Sequence, residues 1–470
     1  MNFKITFLSY LFEKLKTIIS FDGKEKAAFL LCNRIGSKDS IRLLPDNLLI
    51  PDKEDYIERA PGYYSLRNEF INRVVNQALV EAKDIIQCHS HPFNPGKYSP
   101  IDRRTELEFM RHINDKIDNI YHGSIVFSND MKTLDSWFYN KEKDGLEASN
   151  KINLIYPNQF KLYFPYERRR TIDIPEFQDR TARALGKEAL AIFNNLKIGI
   201  VGCSGTGSIV AEHLVRLGIK DIVLCDPDIL EESNLNRLVS TTGHDIGKYK
   251  VKFYRGFLKR IAPDAKIKAL PMSFYENKAQ EEFTQCDIIF SCVDSGAVHS
   301  INHLCMKSLI PLFVLNSGIE VENENISFIG GHILNIIPGS NSCVHCTGIF
   351  DELLYEYLDK HTQELEREQG YIKGMNIIEP SVYFLNTAIV SHGIWNFIQY
   401  VLGLSENLQF MSYLDLQKNK INTSAANKKE CIVCSEKGYL GKGNKIPFLV
   451  PDSQFSLEEE MEEYEMQGAG

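Results

Sequence analysis

At 470 residues the chain is long enough for two or three domains, each with its own core. Its composition, 43% hydrophobic and 24% charged, is that of a soluble globular protein and excludes a fibre or coiled coil. The net charge of -9, with an acidic stretch after Asp452 and only Arg168-Arg169-Arg170 locally basic, argues against a nucleic-acid binder. Eleven cysteines, an odd number, with no secretory signal predict a reducing cytoplasmic setting without disulfides.

From the amino terminus, Phe3 to Ser20 is apolar in places, but Lys4, Glu13, Lys14 and Lys16 interrupt it. It reads as neither signal peptide nor membrane span. Apolar runs at Ala27 to Leu31, Asp84 to Cys88 and Gly123 to Phe127 alternate with amphipathic segments at Ser65 to Lys83 and Asp102 to Ile117, which predicts a small mixed sheet with helices. Within this stretch stand His89-Ser90-His91-Pro92 and Ser99-Pro100-Ile101-Asp102, an H-x-H-x7-S-x2-D spacing. Alternate residues of an extended segment face one way, so His89 and His91 present two imidazoles together and Asp102 returns as an oxygen ligand. Three protein ligands leave a zinc ion one position for water. A carboxylate must then move that water's proton, and Glu25 is the candidate. The plainer reading makes the histidines a structural pair and gives Ser99 and Asp102 to a helix cap; the joint spacing with an upstream glutamate favours zinc.

Asn153 to Ile174 is rich in Pro, Tyr and Arg without clear periodicity. It predicts a linker (153–175) between a first domain (1–152) and a second (176–450), followed by an acidic disordered tail (451–470). Glu176 to Asn194 reads as helix. Lys197 to Val201 reads as a buried strand, then come the turn Gly202-Cys203-Ser204-Gly205-Thr206-Gly207, a helix from Gly207 to Leu217 and a strand from Asp221 to Cys225, a βαβ unit. Glycines there let backbone N–H groups approach phosphate oxygens at the helix amino terminus. Apolar runs at Asp287 to Cys292 and Pro311 to Leu315 extend a mostly parallel sheet, so the fold class is α/β throughout.

Two resemblances follow from these motifs. His89, His91, Ser99 and Asp102, with Glu25-Lys26-Ala27-Ala28-Phe29-Leu30-Leu31-Cys32 upstream, resemble the JAMM (MPN-type) metalloproteases, which cleave after the terminal glycine of ubiquitin-like proteins. That resemblance implies zinc on His89, His91 and Asp102, Glu25 as general acid and base, and Ser99 at the oxyanion. Ala28 and Cys32 replace the family's glycines. The turn Gly202, Gly205, Gly207, with Asp226-Pro227-Asp228, Ser233-Asn234-Leu235-Asn236-Arg237, Gly247-Lys248-Tyr249-Lys250 and Asp294, looks like the ThiF, MoeB and ubiquitin-activating enzymes. The implied chemistry is attack of a carboxylate on the α-phosphate of ATP with loss of pyrophosphate, in which accumulating negative charge needs cations. By this resemblance Asp226 holds the ribose, Asn234 and Arg237 contact the phosphates, Lys250 stabilises the transition state, and Asp294 binds Mg2+. Asp228 stands at the same nucleotide site, and Arg180 matches an arginine that reaches the partner subunit's phosphates in family dimers. Ser204, Leu238, Ser295 and His299 depart from the family pattern.

Cys343-x2-Cys346 and Cys431-x2-Cys434 resemble the same family's structural zinc site, a closed tetrahedral shell. Cys32, Cys88, Cys225, Cys286, Cys292 and Cys305 read as core, and Cys203 lies in the phosphate loop. Thr347 to Glu430 contains no cysteine, so no transfer thiol is named. Together these imply a bifunctional cytoplasmic enzyme, as in bacterial ubiquitin-like conjugation operons, some of them antiphage. It would activate a ubiquitin-like (β-grasp) protein and process or remove it, with a conjugating-type enzyme as a further partner, no membrane partner, and a homodimer through the adenylation domain. The alternatives are activation of a sulfur carrier and a binding scaffold with decayed sites.

Overall fold

The computed structural model describes residues 2–20, 22–37, 40–92, 96–117, 121–165, 174–293, 296–322, 325–348, 381–424 and 430–449. The chain divides into two compact units. The first comprises Met1–Tyr156, Phe160–Ile172 and Gly441–Ile446; the second comprises Pro157–Gln159, Asp173–Leu440 and Pro447–Gly470.

The first unit is built from β1 (Asn2–Leu8), α1 (Ser9–Ile19), β2 (Ala27–Ser37), β3 (Ser40–Leu49), β4 (Tyr56–Ala60), β5 (Tyr63–Leu66), α2 (Asn68–Val80), β6 (Asp84–Ser90), α3 (Pro100–Lys116), β7 (His122–Phe127), β8 (Leu134–Asn140), β9 (Gly145–Ala148), β10 (Lys151–Ile155) and β11 (Phe160–Tyr163). All but β4 and β5 join one mixed sheet in the order β11-β10-β1-β3-β2-β6-β7-β8-β9, larger than the small sheet expected. Alternation along the strands splits their side chains between two cores. Ala28, Leu30 and Cys32 of β2 with Ile86 and Cys88 of β6 pack on Leu11, Phe12, Leu15 and Ile19 of α1. Phe29, Leu31 and Ile85 face the other way, onto Phe70, Val74, Val75 and Ala78 of α2 and onto Ile113 of α3. Carried along β6, this alternation puts His89 on the α2 and α3 side.

Two domain boundaries need correction. Residues 153–163, expected as linker, carry β10 and β11, and β10 runs parallel to β1 with Ile5 opposite Ile152. The aromatic and proline content hid the short apolar run Ile152 to Ile155. Gly441–Ile446, expected in the second domain, belongs to the first unit. Its polar atoms are tied there: Asn33 Nδ2 donates to Gly441 O, Asn444 Nδ2 to Gly36 O and Lys445 Nζ to Glu81 O. A side chain at Gly443, where φ is +60°, would meet Arg34 O at 2.1 Å. The acidic tail and the triple arginine lie outside the described residues.

In the second unit a short helix, α4 (Asp179–Leu185), and α5 (Lys187–Asn195) replace the single expected helix. Gly186, with φ +94°, turns the chain between them. Then follow β12 (Lys197–Val201), α6 (Gly205–Leu217), β13 (Asp221–Cys225), α7 (Lys250–Ile261), β14 (Lys266–Leu270), α8 (Asn277–Phe283), β15 (Ile288–Ser291), α9 (Ala297–Ser308), β16 (Leu312–Glu322), β17 (Asn325–Ile336), α10 (Val344–Thr347), α11 (Tyr383–Leu402), β18 (Met411–Asp415) and β19 (Lys420–Ser424). The sheet order is β14-β13-β12-β15-β16-β17-β18-β19. The first five strands are parallel and the last three antiparallel, so the sheet is less parallel than expected. Ile198, Ile200, Ile222, Val223 and Leu224 are wholly buried, each worth roughly 1.5–3 kcal/mol. That burial holds the carboxyl ends of β12, β13 and β15 side by side. The chain order reverses at β12, and a crevice opens there, where open α/β sheets bind ligands.

Candidate active sites and metal clusters

In the first unit, β2 and β6 are antiparallel with Ala27 opposite His89. Continuing that register sets Glu25 opposite His91, and Glu25 Oε1 lies 3.9 Å from His91 Nε2. Asp102 arrives from the first turn of α3. Ser99 and Asp102 form a reciprocal cap: Ser99 Oγ accepts the Asp102 N–H at 3.1 Å, and Asp102 Oδ2 accepts the Ser99 N–H at 2.6 Å. The cap leaves the Asp102 carboxylate close to both imidazoles, with Oδ2 3.2 Å from His91 Nε2 and Oδ1 3.8 Å from His89 Nε2.

The two imidazoles meet Nε2 to Nε2 at 3.2 Å. Ligand atoms about 2.0–2.1 Å from a tetrahedral zinc stand roughly 3.3 Å apart, so the donor set fits that ion. Burial and neighbouring His91 push His89 down to about 3, leaving a neutral imidazole with a lone pair to give. Burial pushes Glu25 up to about 7, with Asp102 adding to the rise and His91 opposing it. Asp102 is held well below the carboxylate range: burial would raise it, but hydrogen bonds from His91 and Ser99 outweigh that.

A cleft of about 590 Å³ opens beside the cluster, lined by Glu25, Tyr63, Tyr64, His89, Asp102 and Glu106 among others. Glu106 is a residue that sequence reasoning missed. It is buried, its Oε1 lies 3.7 Å from His89 Nδ1, and burial with Asp102 pushes it up to about 8. The available signal was its place one helical turn after Asp102, on the same face of α3.

In the second unit, Gly202 has φ +85° and a Cβ there would meet Cys292 O at 2.5 Å; one at Gly207 would meet Gly202 O at 1.8 Å. Only glycine lets the turn fold this closely against α6. Asp226, at the end of β13, is buried and spans the crevice floor. Its Oδ2 accepts the Cys203 N–H at 2.6 Å and its Oδ1 the Asp228 N–H at 2.9 Å. Burial still raises its carboxyl above the ordinary value, against the pull of Lys250 and these hydrogen bonds.

Lys250, first residue of α7, pairs its Nζ with Asp228 Oδ2 at 2.7 Å. Asn234 Oδ1 accepts the Glu231 N–H, and Arg237 Nη1 donates to Ser233 O at 2.7 Å. Gly202, Asp226, Asp228, Asn234, Arg237 and Lys250 all line one crevice of about 810 Å³. Gly205 and Gly207 lie in the first turn of α6. Cys225 and Cys292, expected as core, also line the crevice, as do Tyr249 from the Gly247 to Lys250 motif and, outside any motif, Phe274 and Tyr275. Arg180 is on exposed α4 and does not line it, and Asp294 lies outside the described residues.

Cys343 Sγ is 3.7 Å from Cys346 Sγ and 3.9 Å from Cys431 Sγ, and Cys346 Sγ is 3.6 Å from Cys434 Sγ. Four sulfurs about 2.3 Å from a tetrahedral zinc stand roughly 3.8 Å apart. The four thiols gather from residues 88 apart in sequence, and all eleven cysteines are free of disulfides. Cys343→Ser should remove one equivalent of zinc per chain, read by elemental analysis, and lower the unfolding temperature by several degrees, because a structural metal contributes folding free energy.

Residues 178–433, more than half the chain, match the ThiF family. The chain belongs to that family. Among curated relatives, ThiF similarity extends to the ubiquitin-like modifier-activating enzyme 5 of Gallus gallus, 29% identical over 241 residues, 47% of this chain and 57% of that protein. The adenylyltransferase and sulfurtransferase UBA4 of Meyerozyma guilliermondii is 27% identical over 202 residues, 42% of this chain and 46% of that one. The crystal structure of E. coli MccB with ATP aligns at 17% identity and a TM-score of 0.45, over 56% of this chain and 75% of the other. The chain spans about half the length of the curated relatives it matches. The ThiF match holds the crevice and Cys343, Cys346 and Cys431, stops one residue short of Cys434, and leaves the His89, His91 and Asp102 cluster outside it. Among the described residues no helix is long and apolar enough to cross a membrane.

Proposed function

We propose that this ThiF-family chain joins two activities on one substrate end: ATP-dependent adenylation of the terminal glycine of a ubiquitin-like protein, and zinc-dependent cleavage after that glycine. The observation that carries the reading is the presence, in one chain, of a ThiF crevice lined by Asp226, Asn234, Arg237 and Lys250 and a cluster of two imidazoles and a carboxylate beside buried Glu25.

In the crevice, Asp226 holds the ribose hydroxyls and the turn at Gly202, Gly205 and Gly207 receives phosphate oxygens on its N–H groups. The substrate carboxylate attacks the α-phosphorus, the α–β bridging bond breaks, and pyrophosphate leaves. Lys250 exchanges Asp228 for the phosphates, and Arg237 and Asn234 hold the leaving pyrophosphate. The ThiF resemblance adds Mg2+ on Asp294 and the reach of Arg180 into a second subunit of a homodimer.

In the first unit, His89, His91 and Asp102 would hold zinc. Zinc there supplies a water acidified toward neutrality and a Lewis acid for the scissile carbonyl. Glu25 takes the water's proton and delivers it to the leaving amine. The Ser99 oxygen already accepts from Asp102, so its hydroxyl hydrogen is left to donate to the developing oxyanion.

Incubating the chain with ATP and candidate β-grasp proteins tests the first half. Mass spectrometry should find AMP on the terminal glycine; no adduct with any partner would sink the adenylation claim. Sulfur on that glycine would instead support carrier activation, a reading favoured by the sulfurtransferase named among the relatives. A thioester on an added conjugating-type enzyme would support transfer. For the second half, His91→Ala should lower bound zinc from two equivalents to one while the four-thiolate site keeps its own.

A further inference from the structure

We infer that Glu106 is the outer partner of the zinc site, accepting the Nδ1–H of His89 so that Nε2 is the nitrogen offered to the metal. This rests on the reading of His89, His91 and Asp102 as zinc ligands.

Two buried polar atoms carry the inference. His89 Nδ1 and Glu106 Oε2 each have no hydrogen-bond partner among the described residues. They belong to side chains that face each other, with Nδ1 3.7 Å from Oε1, a few tenths of an ångström beyond hydrogen-bond reach. Leaving such groups unpaired in a core costs their desolvation with no bond in return, and an apolar residue at position 106 would avoid that.

The neighbours do not relieve either atom. Tyr64 and Tyr98 flank the His89 ring at centroid distances of 5.7 and 6.1 Å. Neither hydroxyl bonds to these two atoms: the Tyr64 oxygen accepts from Gln87 Nε2, and Tyr98 donates to Ser124 Oγ. These rings hold the imidazole plane, and what lies along its Nδ1 side is Glu106. Histidine ligands of metals commonly donate their second N–H to a carboxylate, which fixes the tautomer and strengthens the ligand. Asp102 and Glu106 stand one helical turn apart on α3, so a single helix face supplies a ligand to the metal and a partner to another ligand.

Glu106 is thus a positioning residue, and zinc binding reads its role without any turnover. Glu106→Gln keeps the side-chain volume, and Glu106→Asp withdraws the carboxylate by one methylene. With zinc retained in the four-thiolate site, a competing chelator measures affinity at the histidine site, and cobalt(II) loaded there reports its geometry through the visible d–d bands. Both variants should weaken zinc by about 10–100-fold and shift the cobalt bands, with circular dichroism unchanged. Wild-type affinity and an unchanged cobalt spectrum in both variants would overturn the role of Glu106 while leaving the zinc site standing. A wild-type chain that takes up only the thiolate-bound zinc would overturn the zinc reading, and this inference with it.

Discussion

Lys250→Ala is expected to slow ATP–pyrophosphate exchange by about 10²–10³-fold, the loss typical of removing one preorganised transition-state donor. The Lys250 side chain is only 6% exposed and its Nζ is held 2.7 Å from Asp228, which is 61% exposed. A rigid cation paired with a solvated anion is cheap to redirect, since the partner returns to water when phosphate takes its place. Arg237 is less buried and gripped by Ser233 O, so Arg237→Ala should act more on the apparent affinity for ATP. In the proposed adenylation both cations serve one developing charge, so the two losses should not add. Exchange by Lys250→Ala within about threefold of wild type would remove Lys250 from the chemistry.

Glu25→Gln is expected to cost about 10²–10⁴-fold in cleavage of a fusion between the β-grasp protein and a following peptide, the range set by general acid–base catalysis. Glutamine preserves shape but cannot take a proton. Zinc content should stay at two equivalents, because Glu25 stands 3.9 Å from His91 Nε2, outside the three-ligand cluster. That pairing of full metal with lost cleavage separates a base from a ligand. Exchange of pyrophosphate should continue, since Glu25 lies in the first unit and the crevice in the second. Cleavage that survives the substitution would refute the assigned base.

Strands buried on both faces were easy to read. Lys197–Val201 and Asp221–Cys225 occur where apolar runs bounded by turn residues placed them. Strands with mixed or exposed surfaces, β4 and β5 among them, gave no periodic signal, because their residues are half-buried or solvated. The separation of α4 from α5 depended on one glycine at positive φ, which a helical pattern conceals.

Residue types and spacing alone specified His89, His91 and Asp102 as a set, the two CxxC pairs, and the glycine turn between a strand and a helix. These are local properties: alternation on a strand, a cap at a helix start, and the small size of glycine. Long-range packing chose the rest. Glu106 sits on a helix with Arg103, Arg104 and Glu108 and reads as part of a solvated face, yet α3 closes over β6 and buries it beside His89. Asp228 holds Lys250 across a separation of 22 residues, and Gly441–Ile446 joins the first unit through Asn33, Gly36 and Glu81. Whether a charged group is buried, and against what, is fixed by elements far away in sequence. That is why the ligands of the zinc reading could be named from the chain, while the residue beside His89 Nδ1 emerged only once the fold was assembled.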